Sequence, residues 1–230
     1  MGEMVEFPSD GHTCTGYLAV PAGGAGPGVV VIQEWWGLVD HIKDVADRLA
    51  SQGFTALATD LYHGRATTEP DEAAKEMMAL EIPRAARDLS GSVQFLLDDA
   101  RATGGAVGSV GFCMGGGLSL YLATLRPEVK ADIVYYGVIP WPEAKPDLSR
   151  ISGKVLGHFG EKDSSIPRER ADRLLADLVA AGVDAEFYHY PDADHAFFND
   201  GRPEVHKPDA SQLSWDRTLA FLRRELAEQA

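Results

Sequence analysis

Cysteine is scarce. The 230-residue chain holds two, Cys14 and Cys113, too few for a disulfide framework. Positive charge is also short: Lys plus Arg number 21 against 35 for Asp plus Glu, a formal net charge of −14, and no local basic run offsets it. Such a surface repels phosphate backbones and anionic headgroups, so neither nucleic acid nor a membrane is an expected partner. The longest apolar stretches are strand-sized, which predicts no membrane span. Residues 1–6 lack a charged, then apolar, leader pattern, so the protein is expected to be cytoplasmic. Linkers, fixed-period repeats and low-complexity tracts are missing too, which predicts one domain over residues 1–230. What is there is ordinary globular composition, 45% hydrophobic and 24% charged.

Strand-like and helix-like periods alternate along the chain. Residues 5–8 and 13–20 flank Asp10-Gly11, a hairpin signal. Val29-Val30-Val31-Ile32 is continuously apolar and β-branched, as a strand covered on both faces requires. Helical spacing follows at 41–51, where Ile42, Val45, Ala46 and Leu49 share a stripe. Residues 54–61, 107–112, 131–137, 154–159 and 186–190 read as further strands. Residues 71–100, with a break or new first turn at Pro83, and 118–125, 168–181 and 212–226 read as helices. This pattern predicts an α/β fold: a mainly parallel sheet of about eight strands, helices on both faces and the opening hairpin at one edge.

In such sheets ligands bind beyond the carboxyl ends of the strands. Four reactive side chains fall there: Glu34, Cys113, Asp163 and His195. The sharpest signal is Gly111-Phe112-Cys113-Met114-Gly115, a Gly-x-Cys-x-Gly between a predicted strand and a predicted helix. It has the form of a nucleophile elbow with cysteine in place of serine. The bend is tight, so positions two either side must lack bulk, and the sulfur stands near a helix N-terminus, whose partial positive charge favours thiolate. Asp163 and His195 follow the next strands in the chain order nucleophile, acid, base. His158 and His189 lie inside strands and read as packing residues, while His12, His41, His63 and His206 lack the placement. Asp192, Asp194 and His195 form no convincing metal set, because no second ligand cluster accompanies them; no metal and no cofactor are expected. A buried, inert Cys113 is the competing reading, and a dinucleotide loop is disfavoured because no Gly-x-Gly-x-x-Gly fits.

Gln33-Glu34-Trp35-Trp36-Gly37, Asp60-Leu61-Tyr62, Gly111 to Gly116, Tyr135-Tyr136-Gly137, Gly160 to Asp163 and His195-Ala196-Phe197 together resemble the dienelactone hydrolase family (carboxymethylenebutenolidase-like, α/β-hydrolase fold). The likeness runs from about Val5 to the last helix. It implies a Cys113, His195, Asp163 triad and an oxyanion hole from the backbone N–H groups of Met114 and Trp35. It also implies Glu34 as regulator of the thiol. Independently of the family, neighbouring strands would set Glu34 beside Cys113, where a carboxylate opposes ionisation of a thiol. Two arginines that grip a substrate carboxylate in the family fall on Lys75 and Asn199 here; Arg84, Arg87 and Arg202 are candidates to compensate. Trp35, Trp36, Tyr62, Phe112, Tyr136 and Phe197 are the expected pocket walls.

The resulting expectation is a cysteine-dependent hydrolase of lactone or ester bonds, working through a thioester on a small-molecule substrate, as a monomer or dimer. A promiscuous carboxylesterase for small neutral esters, or a non-hydrolytic binding protein on the same fold, are the alternatives. A redox thiol is disfavoured because no Cys-x-x-Cys is present. The sequence leaves the role of Cys14 open.

Overall fold

A computed structural model describes residues 1–141 and 144–227. Its centre is one eight-stranded sheet in the order β1-β2-β4-β3-β5-β6-β7-β8. The strands are β1 (Glu3–Ser9), β2 (His12–Ala19), β3 (Gly26–Ile32), β4 (Thr55–Thr59), β5 (Ala102–Phe112), β6 (Val129–Tyr135), β7 (Lys154–Gly160) and β8 (Ala185–Tyr190). β1 and β2 pair antiparallel, β2 joins β4 antiparallel, and every later pairing is parallel. The hairpin turn is the two-residue Asp10-Gly11, both at positive φ (38° and 87°), which closes Ser9 against His12.

Among the described residues six α-helices cover the sheet: α1 (Asp40–Ser51), α2 (Pro70–Met78), α3 (Ile82–Asp98), α4 (Met114–Leu125), α5 (Arg168–Ala180) and α6 (Pro208–Ala227). Alternate strand residues feed the two apolar layers, as the pleat demands. Val30 and Ile32 pack with Leu89, Val93 and Leu118 on the α3 and α4 side. Val29 and Val31 pack with Ile42, Val45 and Leu222 on the α1 and α6 side. A central strand buried on both faces has no polar side to show, which is why Val29 to Ile32 reads as an unbroken apolar run.

Several boundaries move: β5 begins at Ala102, not 107, and α4 at Met114, not 118. The expected 71–100 helix is two helices, because Pro83 sits in the first turn of α3, where its missing N–H costs nothing. α6 begins four residues earlier than its apolar stripe, at Pro208. The topology makes β3 the partner of both β4 and β5, so the loops after β3 and β5 open side by side. No described helix is long and apolar enough to cross a membrane.

Candidate active site

Cys113 is the single residue between β5 and α4, with φ 55° and ψ −119°. A non-glycine residue held there is strained, and strain of this kind persists where surrounding packing enforces it. The packing is tight. A Cβ on Gly111 would lie 2.0 Å from the Gly115 carbonyl oxygen, and one on Gly115 would lie 2.5 Å from the carbonyl oxygens of Ile32 and Gln33. Only glycine lets the helix start this close to the end of β3. The result is a partly exposed sulfur over the sheet, at the N-terminal end of a twelve-residue helix.

The loops after β7 and β8 bring two partners to it. His195 Nε2 lies 3.2 Å from Cys113 Sγ, and His195 Nδ1 lies 2.7 Å from Asp163 Oδ2. Asp163 is almost fully buried, and its other oxygen accepts from the backbone N–H groups of Ser165 and Ile166, both at 2.8 Å. Those bonds fix the carboxylate so that its second oxygen faces the imidazole. Burial alone opposes charge on His195, but hydrogen bonds to Asp163 and Cys113, and the charges of both, outweigh it and raise the imidazole to about 10. The ring is therefore a proton holder at neutral pH.

Glu34, two residues past the end of β3, is 1% exposed. Its carboxylate is held on both sides: Tyr136 Oη donates to Oε1 at 3.3 Å and Asn199 Nδ2 to Oε2 at 2.8 Å. Burial, then the charges of Glu34 and Cys113, push the Tyr136 hydroxyl far above its ordinary value, so it stays a donor. In this arrangement the sulfur rests on His195 and Glu34 rests on Tyr136 and Asn199. Tyr136 and Ala196, which face the same space, share positive φ values with Cys113 (37° and 61°).

Above these groups lies a cavity of about 300 Å³, at the small end of ligand-sized pockets. Its lining includes Glu34, Trp35, Trp36, Cys113, Met114, Tyr136 and His195. Met114 is the first residue of α4, where helix geometry leaves the N–H without an intrahelical acceptor.

The dienelactone hydrolase family profile matches residues 14–226. The chain belongs to that family. Among curated relatives, the Protein usf of Aquifex pyrophilus is 36% identical over 234 residues, spanning 98% of this chain and all of that one. A provisionally named carboxymethylenebutenolidase of Aquifex aeolicus is 33% identical over 238 residues, again spanning 98% of this chain and all of its own. Among solved structures, a provisionally named dienelactone hydrolase from Klebsiella pneumoniae superposes with a TM-score of 0.87 at 29% identity, covering 96% of this chain and 98% of that one. The fold is that of the α/β hydrolases, and the family makes this chain a hydrolase.

Within this family member, some residues expected at the pocket lie elsewhere. Lys75 is exposed on α2, while Met77 of the same helix reaches the cavity. Two residues apart on a helix is about 200° around the axis, so the two cannot face the same way. Tyr62 is buried under the elbow, its hydroxyl 3.3 Å from Met114 Sδ. Phe112 and Phe197 are fully buried and pack against Tyr135 and Tyr136 on the α6 side. Asn199 is buried against Glu34 and opens onto a neighbouring groove, not this cavity. Arg84 and Arg87 are also off the cavity lining, and Arg202 is on it, its guanidinium 5.5 Å from the Trp36 ring. Arg170, at the first turn of α5, lines it as well. Sequence reasoning missed Arg170 because α5 carries several exposed charges, and nothing in a helical stripe singles out the one that overhangs a distant loop.

Proposed function

We propose that this family member hydrolyses lactone or ester bonds of a small molecule, with Cys113 as nucleophile, His195 as proton carrier and Asp163 as the group that orients it. One observation carries the reading: the unbroken chain Sγ–Nε2, Nδ1–Oδ2, at 3.2 and 2.7 Å, on the floor of the cavity. His195 holds the proton that the thiol gives up, and the sulfur attacks the carbonyl carbon as thiolate. The tetrahedral oxyanion is met by the backbone N–H groups of Met114 and Trp35, each such donor contributing about 3 kcal/mol in comparable sites. Collapse breaks the carbon–oxygen bond. His195 gives its proton to the departing alkoxide or enolate, and a thioester remains. Water then attacks with its proton passing to His195, the thiolate leaves, and the product is a carboxylic acid. An imidazole raised to about 10 is a weak acid, which suits a leaving group that departs readily, such as an enolate, more than an amine.

Glu34 opposes a persistent thiolate beside it, and the Tyr136 and Asn199 bonds occupy its two oxygens. The lining adds the substrate's character. Trp35, Trp36 and Met77 supply apolar walls, and Arg170 and Arg202 supply cations at the same cavity, a combination fitted to an ester or lactone that also carries a carboxylate.

The test is hydrolysis of p-nitrophenyl acetate by the wild type and by Cys113→Ala. Loss of at least about a thousand-fold in kcat/KM is expected, in line with removal of a covalent nucleophile. Iodoacetamide should label Cys113 at one equivalent, and substrate should protect it. Turnover that survives Cys113→Ala would remove the sulfur from the mechanism.

A further inference from the structure

A second cluster of reactive side chains lies away from the hydrolytic cavity, where the β1–β2 hairpin meets the loop after β4 and the helix α3. Asp88, on α3, is fully buried. Its Oδ1 accepts from Ser9 Oγ at 2.6 Å and lies 2.8 Å from His12 Nε2. Its Oδ2 has no hydrogen-bond partner among the described residues. That oxygen faces His63 Nε2 at 3.1 Å, which is likewise without a hydrogen-bond partner. The two atoms are close but misaligned for a hydrogen bond. Cys14, fully buried on β2, completes the group: its Sγ, a His63 ring nitrogen and an Asp88 carboxylate oxygen all lie within 4.8 Å of one another.

A buried carboxylate oxygen and an imidazole nitrogen that face each other without a hydrogen bond are costly unless something lies between them. A proton would satisfy the pair only in line, and the geometry is off that line. A cation has no such directional need.

We propose that Cys14, His63 and Asp88 form a site for a divalent transition-metal ion of the zinc class, distinct from the hydrolytic centre. The donor set of one sulfur, one nitrogen and one oxygen suits zinc or cobalt, and disfavours magnesium or calcium, which need oxygen donors. Tetrahedral bonds of about 2.0–2.3 Å set neighbouring donors roughly 3.3–3.7 Å apart, so closing three donors already inside 4.8 Å takes shifts of about 1 Å or less. The three donor atoms are buried, and the site lies nearest solvent on the side of His63, whose side chain is 24% exposed and from which a water would complete the fourth position. Ser9 and His12 act as the outer ring, holding Oδ1 so that Oδ2 points inward, the role that outer partners of metal-binding groups commonly play. The left-handed backbone at His63 (φ 51°) is what turns its ring back toward α3. Burial, then the carboxylates of Asp88 and Asp60, keep the Cys14 thiol protonated in the metal-free protein. Binding therefore exchanges that proton for the metal: the S–H bond breaks, the S–metal bond forms and one proton leaves to solvent.

The test titrates Co2+ into Cys113→Ala protein, so that the hydrolytic thiol cannot contribute, and follows the near-ultraviolet thiolate-to-cobalt absorption and the visible ligand-field bands. One equivalent should bind, Zn2+ should displace it, and Cys14→Ser in the same background should abolish the near-ultraviolet band. His63→Ala, a loop change that leaves the core intact, should weaken Co2+ binding, and decides the matter if the buried Cys14→Ser fails to fold. Ser9→Ala and His12→Ala should keep the band while weakening affinity about 10- to 100-fold. A hydrogen-bonded pin between hairpin and helix, with no metal role, predicts lower thermal stability in these variants with no dependence on Zn2+. Absence of the band up to millimolar Co2+, or a band with unchanged affinity in His63→Ala, would overturn the site.

Discussion

At the scale of single residues, legibility followed constraint. The meeting of Cys113, Asp163 and His195 was readable because an elbow tolerates few residues and strand-end loops fix the order of partners. Glu34 was readable as a neighbour of Cys113, because β3 and β5 pair. Asn199 was not. It was aligned as a substrate contact, yet its amide is spent on Glu34 Oε2 at 2.8 Å, and sequence carries no record of where a side chain on an irregular loop points. That bond is testable. Asn199→Asp replaces a donor by a second buried carboxylate facing the first, so one of the pair must take a proton. The variant's stability is then retained at low pH, where that proton is bound, and lost as pH rises. Urea unfolding should show a deficit of about 2–4 kcal/mol at pH 8 that shrinks at pH 5; equal deficits at both would contradict the Glu34–Asn199 contact. Arg202 carries the second prediction at this scale. If it meets a substrate carboxylate, Arg202→Ala should raise KM about tenfold for carboxylate-bearing esters and leave neutral esters of similar size nearly unchanged. Matched KM changes for both would move that specificity elsewhere.

At the scale of elements, buried parallel strands were easy to see and helix phase was not. Val29 to Ile32 and Val107 to Phe112 stand out because a strand covered on both faces carries little polar interruption. The α2 helix hides its facing: Ala73 and Met77 turn inward, and Lys75, on the same nine-residue helix, turns out. The three glycines after Met114 say more in the structure than in the sequence. The tight bend accounts in the sequence for Gly115 alone, but each of the three fits α4 against a neighbouring strand end. A Cβ at Gly115 meets Gln33, one at Gly116 comes within 3.0 Å of Gly137, and one at Gly117 lies 2.3 Å from the Val138 carbonyl oxygen. The helix N-terminus is thus wedged between the loops that carry Glu34 and Tyr136. Gly111→Ala, with its Cβ 2.0 Å from backbone, should cost more than about 3 kcal/mol, since neither strand nor helix can move without displacing the other. Gly105→Ala, with nothing within 4 Å of the added Cβ, should change stability by less than about 0.5 kcal/mol. Thermal melts of the two variants side by side check this, and a mild Gly111→Ala would mean that the elbow is looser than its contacts indicate.

At the scale of the whole molecule, three titratable groups shape how stability depends on pH: the buried Asp132 and His158 and the half-buried His195. His158 was legible as a packing residue inside a strand and His195 by its place after one, but the direction in which burial and neighbours move each proton is a tertiary property. Asp132, on β6 beneath α4, is driven up to about 7 by burial, against hydrogen bonds donated by Ser119 and Ser109. His158, on β7, is driven down to about 3 by burial and then by the charge of Arg217, and stays neutral between the Tyr190 and Thr218 hydroxyls. His195 is raised to about 10. Proton linkage then gives opposite slopes. The Asp132 contribution is present below its unfolded value near 4 and is lost as pH rises to about 7. The His158 contribution is present above about 6.5 and is lost as pH falls toward 3. Over roughly pH 4 to 6.5 these two act against each other at up to about 1.4 kcal/mol per pH unit apiece, so stability should be nearly flat there. Above pH 7 the His195 term stands without that opposition: it is complete below about 6.5 and lost progressively as pH rises to about 10. The melting temperature should therefore hold level in mild acid and fall by about 5–10 °C between pH 7 and 10. Two variants separate the terms. His195→Asn should flatten the alkaline decline, and Asp132→Asn should uncover the His158 slope, so that stability rises with pH between 4 and 6.5. An alkaline decline of full size in His195→Asn would show that the imidazole beside Cys113 does not hold its proton more tightly in the folded chain than in the unfolded one.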